Sequence, residues 1–153
     1  MPKLATQHFH DLEYTPESVF HFAAGIPGFE EHTDFIFISQ QHTAPLVYMQ
    51  SVKDPRLCLI GLPASVVDPE YRLELTPEEA IALGLPYTER PAMGREIFCL
   101  VLLTFAQDAP PVANLMSPIV VNLENHRGIQ AIQVESGYSL RHPLGESVVA
   151  TCS

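Results

Sequence analysis

Basic side chains are scarce in this sequence: eight Lys and Arg stand against 18 Asp and Glu, for a formal net charge of −10. Nucleic acid is held by neutralising its phosphates with Lys and Arg, so this imbalance argues against nucleic acid as a direct partner. A basic protein partner fits better, because complementary fields steer encounter and suppress wrong partners. The plainer alternative is an acidic protein kept apart from its own copies by charge. The charge is also uneven. Residues 1–90 carry 13 acids and five bases, net −8, while residues 91–153 carry five acids and three bases, net −2.

Cysteine is sparse as well. Cys58, Cys99 and Cys152 are an odd number at wide spacing with no CxxC, and two of them lie in apolar runs where a thiol is a small hydrophobe. With no signal peptide at the N-terminus, a reducing cytoplasm is the expected compartment. Long apolar runs are missing: the longest, residues 97–105, is nine residues, against about 20 for a spanning helix. No membrane association is expected.

Catalytic signatures are missing too. The sequence has no GxSxG elbow, no HExxH and no phosphate-cradling glycine loop, since Gly25-x-x-Gly28 is too sparse for one. A nucleophile could be assembled from Cys58 or Cys99 and a histidine, but nothing local supports it, so the chain reads as a non-enzyme. His8 and His10 share one face of a strand as two metal ligands could. A third ligand at a standard spacing is not visible, and an exposed polar edge is the preferred reading. Arg141-His142-Pro143 reads as a chain reversal. No cofactor is expected.

What is present is a folding chain. At 153 residues and 46% hydrophobic, it suits one domain with its own core. Short strands are expected over residues 4–9, 18–22, 35–39, 46–52, 57–62, 71–75 and 97–105, with residues 11–17 and 108–111 as connections. In Ala24-Gly25-Ile26-Pro27-Gly28-Phe29-Glu30 two glycines around a proline mark a tight turn, with Phe29 expected to enter the core beyond it. Thr76-Pro77-Glu78-Glu79 has an N-cap Thr, Pro at the first helical position and Glu at the third, a capping box opening a two-turn helix that Gly84 can end. Residues 114–134 are the organising stretch. Two apolar runs flank a pause at residues 124–128, a hairpin with Gly128 supplying positive φ at a bulge.

These elements predict an all-β fold, a small antiparallel β-barrel-like single domain over residues 1–144 with one short helix. Closure removes exposed edges and favours the barrel over a sandwich. Residues 145–153 carry no periodic apolar pattern and are expected to form a flexible tail. Asn114 and Asn122 bracket the first hairpin strand, either to satisfy loop backbone groups or to meet a partner. Arg127 at the hairpin tip is either a solvated turn charge or a recognition group.

Five segments occur in one order: GIPGFE at 25–30, MQSVKDP at 49–55, DPEYRLEL at 68–75, NLMSPIVVN at 114–122 with RGIQ at 127–130, and YSLRHPL at 138–144. Together they resemble the flagellar assembly factor FliW family across residues 4–144. The resemblance implies a non-enzymatic cytoplasmic regulator with a small β-barrel-like fold. It also implies two protein partners: flagellin, bound in a chaperone-like way, and the carbon storage regulator CsrA, a small basic RNA-binding dimer whose repression of flagellin translation is thereby relieved. A monomer is expected. Where the family commonly has an acidic residue after the Tyr of the DPEY segment, this chain has Arg72. The acidic role then rests on Glu70 and Glu74, so Glu70, Arg72, Glu74, Asn114, Asn122 and Arg127 are the candidate partner-binding residues. The alternative is a small-ligand-binding or hydrolytic β-barrel with a polar pocket.

Overall fold

A computed structural model describes residues 3–6, 10–13, 16–85, 96–106, 108–133 and 137–144. β1 (Lys3–Thr6) and β2 (His10–Glu13) form a separate antiparallel pair. The chain continues through β3 (Val19–His21), β4 (Asp34–Ser39), β5 (Val47–Ser51), β6 (Cys58–Pro63), the single helical turn α1 (Ala64–Val67) and the helix α2 (Pro77–Leu83). Then come β7 (Ile97–Ala106), β8 (Ala109–Ala113), β9 (Ile119–Asn122), β10 (Gly128–Gln130) and β11 (His142–Pro143). The main antiparallel sheet has the order β10-β9-β7-β6-β5-β4-β3, and β8 branches from β7 and carries β11.

β7 is central because its ten residues serve three neighbours. One edge pairs with β9 from Ile97 to Leu100 and with β8 from Leu103 onward, while the other edge takes β6 at Leu100 to Leu102. Its two faces enter different cores. Ile97, Cys99 and Val101 pack with Leu62, Leu73, Leu83 and Val120, under the cladding of α1, residues 71–75 and α2. Leu100 packs on the other side with Phe22, Phe35, Met49, Ile119 and Val121. A strand buried on both faces has no polar face to show, hence its continuous apolar run. Each fully buried Leu or Phe here is worth about 1.5–3 kcal/mol.

The strand path does not close into a continuous ladder, yet its two ends meet. His21 and Arg127 form an isolated parallel bridge, and His21 N–H donates to His126 O at 2.8 Å. The barrel-like form is therefore shut at one point. There Phe22, fully buried, lies over Gly128; a Cβ on that glycine would overlap the ring, with Cε1 only 2.8 Å away.

Several local expectations are corrected. Positive φ at the hairpin tip falls on His126 (φ 59), not on Gly128; the His126 ring stacks on Phe20 at 4.3 Å, which holds the unusual backbone in place. Gly128 is needed for close approach, not for φ. Residues 71–75 are extended, with Tyr71, Leu73 and Leu75 buried, but they join no ladder, because side chains take their main-chain bonds. The connection expected at 11–17 contains β2, and the loop expected at 108–111 contains β8. Pro110 and Pro111 are tolerated there because they fall in the register shift between Thr104 and Ala106 of β7. Phe29 stays 39% exposed, and Ile26 enters the core instead. The second hairpin strand, expected to reach residue 134, ends at Gln130. The tail, residues 145–153, and His8 lie outside the described residues, as does the side chain of His10.

The Phe22–Gly128 contact makes a direct prediction. Gly128→Ala should lower unfolding free energy by about 1–3 kcal/mol, the usual cost of overpacking, read as a lower urea midpoint. Adding Phe22→Leu to Gly128→Ala should recover part of the loss, and strict additivity would show that the ring is not the obstacle.

Candidate protein-binding site

The segment leading into α2 starts with a side-chain-closed turn. Asp68 Oδ1 accepts from Glu70 N–H at 2.9 Å, and Tyr71 N–H donates to Asp68 O. From there alternate residues point inward, so Glu70, Arg72 and Glu74 face solvent while Tyr71, Leu73 and Leu75 are buried. The extended course is fixed by side chains from the far end of the chain. Tyr71 stacks on Tyr138 at 4.5 Å, its hydroxyl donates to Leu115 O, and Arg72 N–H donates to the Tyr138 hydroxyl. Burial, the largest cause, pushes the Tyr71 phenol well above its usual range. Buried Gln133 acts as a strand partner in miniature. Its Oε1 accepts from Glu74 N–H at 2.8 Å and its Nε2 donates to Glu74 O at 2.7 Å.

Helix α2 is tied to the hairpin at both ends. At its start Thr76 Oγ1 accepts from Glu79 N–H and Glu79 Oε1 accepts from Thr76 N–H, the expected capping box. Glu79 Oε2 also accepts from Ile132 N–H just beyond β10. At its end Gly84 takes φ 73 as expected, and Leu83 O accepts from both Asn122 Nδ2 (2.8 Å) and Asn125 Nδ2 (2.9 Å). The helix has no basic residue in its last turn. The Arg127 guanidinium lies there instead, with Nη1 3.3 Å from where a Gly84 Cβ would stand, suited to the negative end of the helix dipole.

The sequence candidates are thus sorted. Glu70, Arg72 and Glu74 share one exposed face. Asn122, only 3% exposed, and Arg127 converge on the end of α2, and Asn122 Oδ1 also accepts from Glu124 N–H. Asn114 stands apart, its Oδ1 accepting from Met116 and Ser117 N–H where the chain passes from β8 to β9. Asn125 and Gln133 were missed, since nothing in a lone amide's neighbours along the chain tells that it will reach a distant backbone. Also missed was a surface groove of about 390 Å3 between residues 24–30, α2 and β10, lined by Ala24, Pro27, Ala82, Ile129 and three acids, Glu30, Glu78 and Glu79.

Nucleophilic chemistry finds little support in the thiols. Burial pushes the Cys58 thiol up to about 11 and that of Cys99 up to about 12, so both are protonated at neutral pH. Among the described residues, no three His, Cys, Asp or Glu side chains are grouped to hold a metal ion.

Two expectations can be measured. Gln133→Leu should speed hydrogen exchange at the Glu74 amide and cost about 1–3 kcal/mol, as when a buried group loses its partner; unchanged exchange would mean that Gln133 does not hold the segment. Alkylation of Cys58 in the folded protein should rise about tenfold per pH unit through pH 9 and level off only near 11, the raised value. A plateau near pH 9, the ordinary thiol value, would contradict the burial.

Known proteins place this chain. The family described as FliW protein matches residues 3–144. The flagellar assembly factor FliW of Syntrophomonas wolfei subsp. wolfei is 34% identical over 143 residues, spanning 93% of this chain and 88% of that protein. The flagellar assembly factor FliW of Thermotoga petrophila is 33% identical over 141 residues, 90% of each chain. A crystal structure of the flagellar assembly factor FliW superimposes with a TM-score of 0.82 at 27% identity, covering 95% of this chain and 99% of that one. With the family pattern running from β1 to the end of the described chain, and the same fold in a solved member, this protein belongs to the FliW family of flagellar assembly factors.

Proposed function

We propose that this protein is a non-enzymatic cytoplasmic regulator that binds flagellin and CsrA, and that binding CsrA relieves its repression of flagellin translation. Carrying this reading is the row of exposed carboxylates, Glu70, Glu74 and Glu78, on a segment whose backbone is fixed by Tyr138, Gln133 and the α2 capping box. A rigid acidic row suits a basic protein surface, because its charges need not be ordered on binding. Arg72 interrupts the row and gives it a register. Asn122 and Arg127 support the face by setting the end of α2, and Asn114, which stands apart, sets the loop between β8 and β9. A hydrolytic site built on a Ser, Thr or Cys nucleophile draws less support, as no Ser, Thr, Cys or His lines the groove. Among the described residues no helix is long and apolar enough to cross a membrane.

Reversing the row tests the reading. Glu70→Lys with Glu74→Lys should weaken binding to the host's CsrA by tenfold or more in titration calorimetry, with the urea midpoint nearly unmoved. The salt dependence of the association rate should flatten in stopped-flow mixing, since rim charges act through steering. A folded double variant with unchanged affinity would place the contact elsewhere.

A further inference from the structure

The two ends of the sheet meet at the His21–Arg127 bridge and then part. Past it, Phe22 N–H donates to Thr33 O and Gly25 N–H to Phe22 O, so the chain turns back toward β4 and parts from β10. The groove of about 390 Å3 is that open seam. On its inner side, Asn122 N–H to Arg127 O and Ala131 N–H to Pro118 O direct the odd-numbered residues of the hairpin strand to β9. In an antiparallel ladder this turns the main-chain groups of Gly128 and Gln130 toward the outer edge. Ala24, Pro27, Ala82 and Ile129 supply an apolar lining, Gln130 adds an amide, and Glu30, Glu78 and Glu79 supply three carboxylates with no base among the lining residues. Beside it Ile81 is 72% exposed and Ile132 51% exposed.

We propose that this seam is a docking groove for an extended segment of a protein partner that carries Lys or Arg beside small apolar side chains. The proposal rests on the protein-binding reading above and assigns it a second contact, apart from Glu70 and Glu74. Charge selects the basic side chains, since every ionisable group in the lining is acidic. The apolar part of the lining suits their small neighbours, because apolar side chains leave water favourably against Ala24, Pro27, Ala82 and Ile129. Strand geometry favours the extended form: beyond the His21–Arg127 bridge, the main-chain groups of Gln130 face away from β9 and give a short edge against which one or two residues of a guest can pair.

The test uses the whole protein, with Ala82→Trp to fill the groove from an exposed helix position and Glu30→Lys to reverse its rim. In one arm the hexapeptide Lys-Ala-Lys-Val-Lys-Ala, blocked at both ends, is titrated into nitrogen-15-labelled protein, with Glu-Ala-Glu-Val-Glu-Ala as control. Shifts should cluster at Gly25, Glu30, Ala82, Gly128 and Gln130, weaken at least tenfold in Ala82→Trp and several-fold in Glu30→Lys, and be missing with the acidic peptide. Shifts elsewhere, none at all, or equal affinity in the folded variants would overturn the groove. Should Ala82→Trp not fold, Glu30→Lys decides alone. In the second arm purified flagellin and CsrA from the host are titrated. A tenfold loss with one of them in the variants supports the groove, and equal binding of both to wild type and variants overturns it while the proposed function stands. If neither binds wild type, the proposed function falls and the peptide arm alone decides the groove.

Discussion

The buried Phe22 ring fills the space that a β-carbon on residue 128 would occupy. This one contact sets how far the first and last strands of the main sheet can approach. A larger residue at 128 would hold β3 away from the hairpin and break the His21–His126 hydrogen bond that shuts the sheet. Phe22 also meets Phe35 edge-on at 5.6 Å and packs in one cluster with Met49, Leu100 and Ile119, so the closure point and the core beneath it are one packing problem. Closing a sheet at a point rather than along a ladder leaves a seam, and the chain puts small and acidic residues around it.

From that closure the hairpin reaches outward to α2. A helix of seven residues is too short to hold itself together in water. Its stability comes from its ends: Glu79 joins it to Ile132, and two asparagine amides take the Leu83 carbonyl. Inward, Ala80 and Leu83 are buried. The helix is thus a fixed part of the hairpin's surface, and the extended segment before it inherits that rigidity through the capping box at Thr76.

How much of this was legible follows from the range of each interaction. The capping box and the Gly84 stop are closed by residues within four positions of each other, and both could be read in the sequence. The two-faced burial of β7 was legible because composition records it. By contrast, residues 71–75 alternate like a strand, yet their bonding partners are Tyr138 and Gln133, about 60 residues away. Alternation reports burial on one side and is silent on whether a ladder exists. Gly128 misled for a similar reason: a glycine after a turn suggests positive φ, while its true constraint is a phenylalanine more than 100 residues earlier. The groove gave no local signal, being built from three segments far apart in the chain.

An acidic protein must also place its charges without undoing its fold. Some carboxylates here close backbone groups. Asp68 holds the turn at Glu70, Glu79 holds two amides, and the Arg56 main-chain amide, the largest cause, lowers the Asp54 carboxyl below its ordinary range. Glu70 and Glu74 are four residues apart on an extended segment, roughly 13 Å at about 3.3 Å per residue. The Debye length at physiological ionic strength is about 8 Å, so the two carboxylates repel each other only weakly through water. A partner's ammonium or guanidinium placed against either one would lie well inside that length and feel a much larger attraction. Spacing the acids on a rigid extended segment therefore keeps self-repulsion smaller than a helix with acids at every turn would.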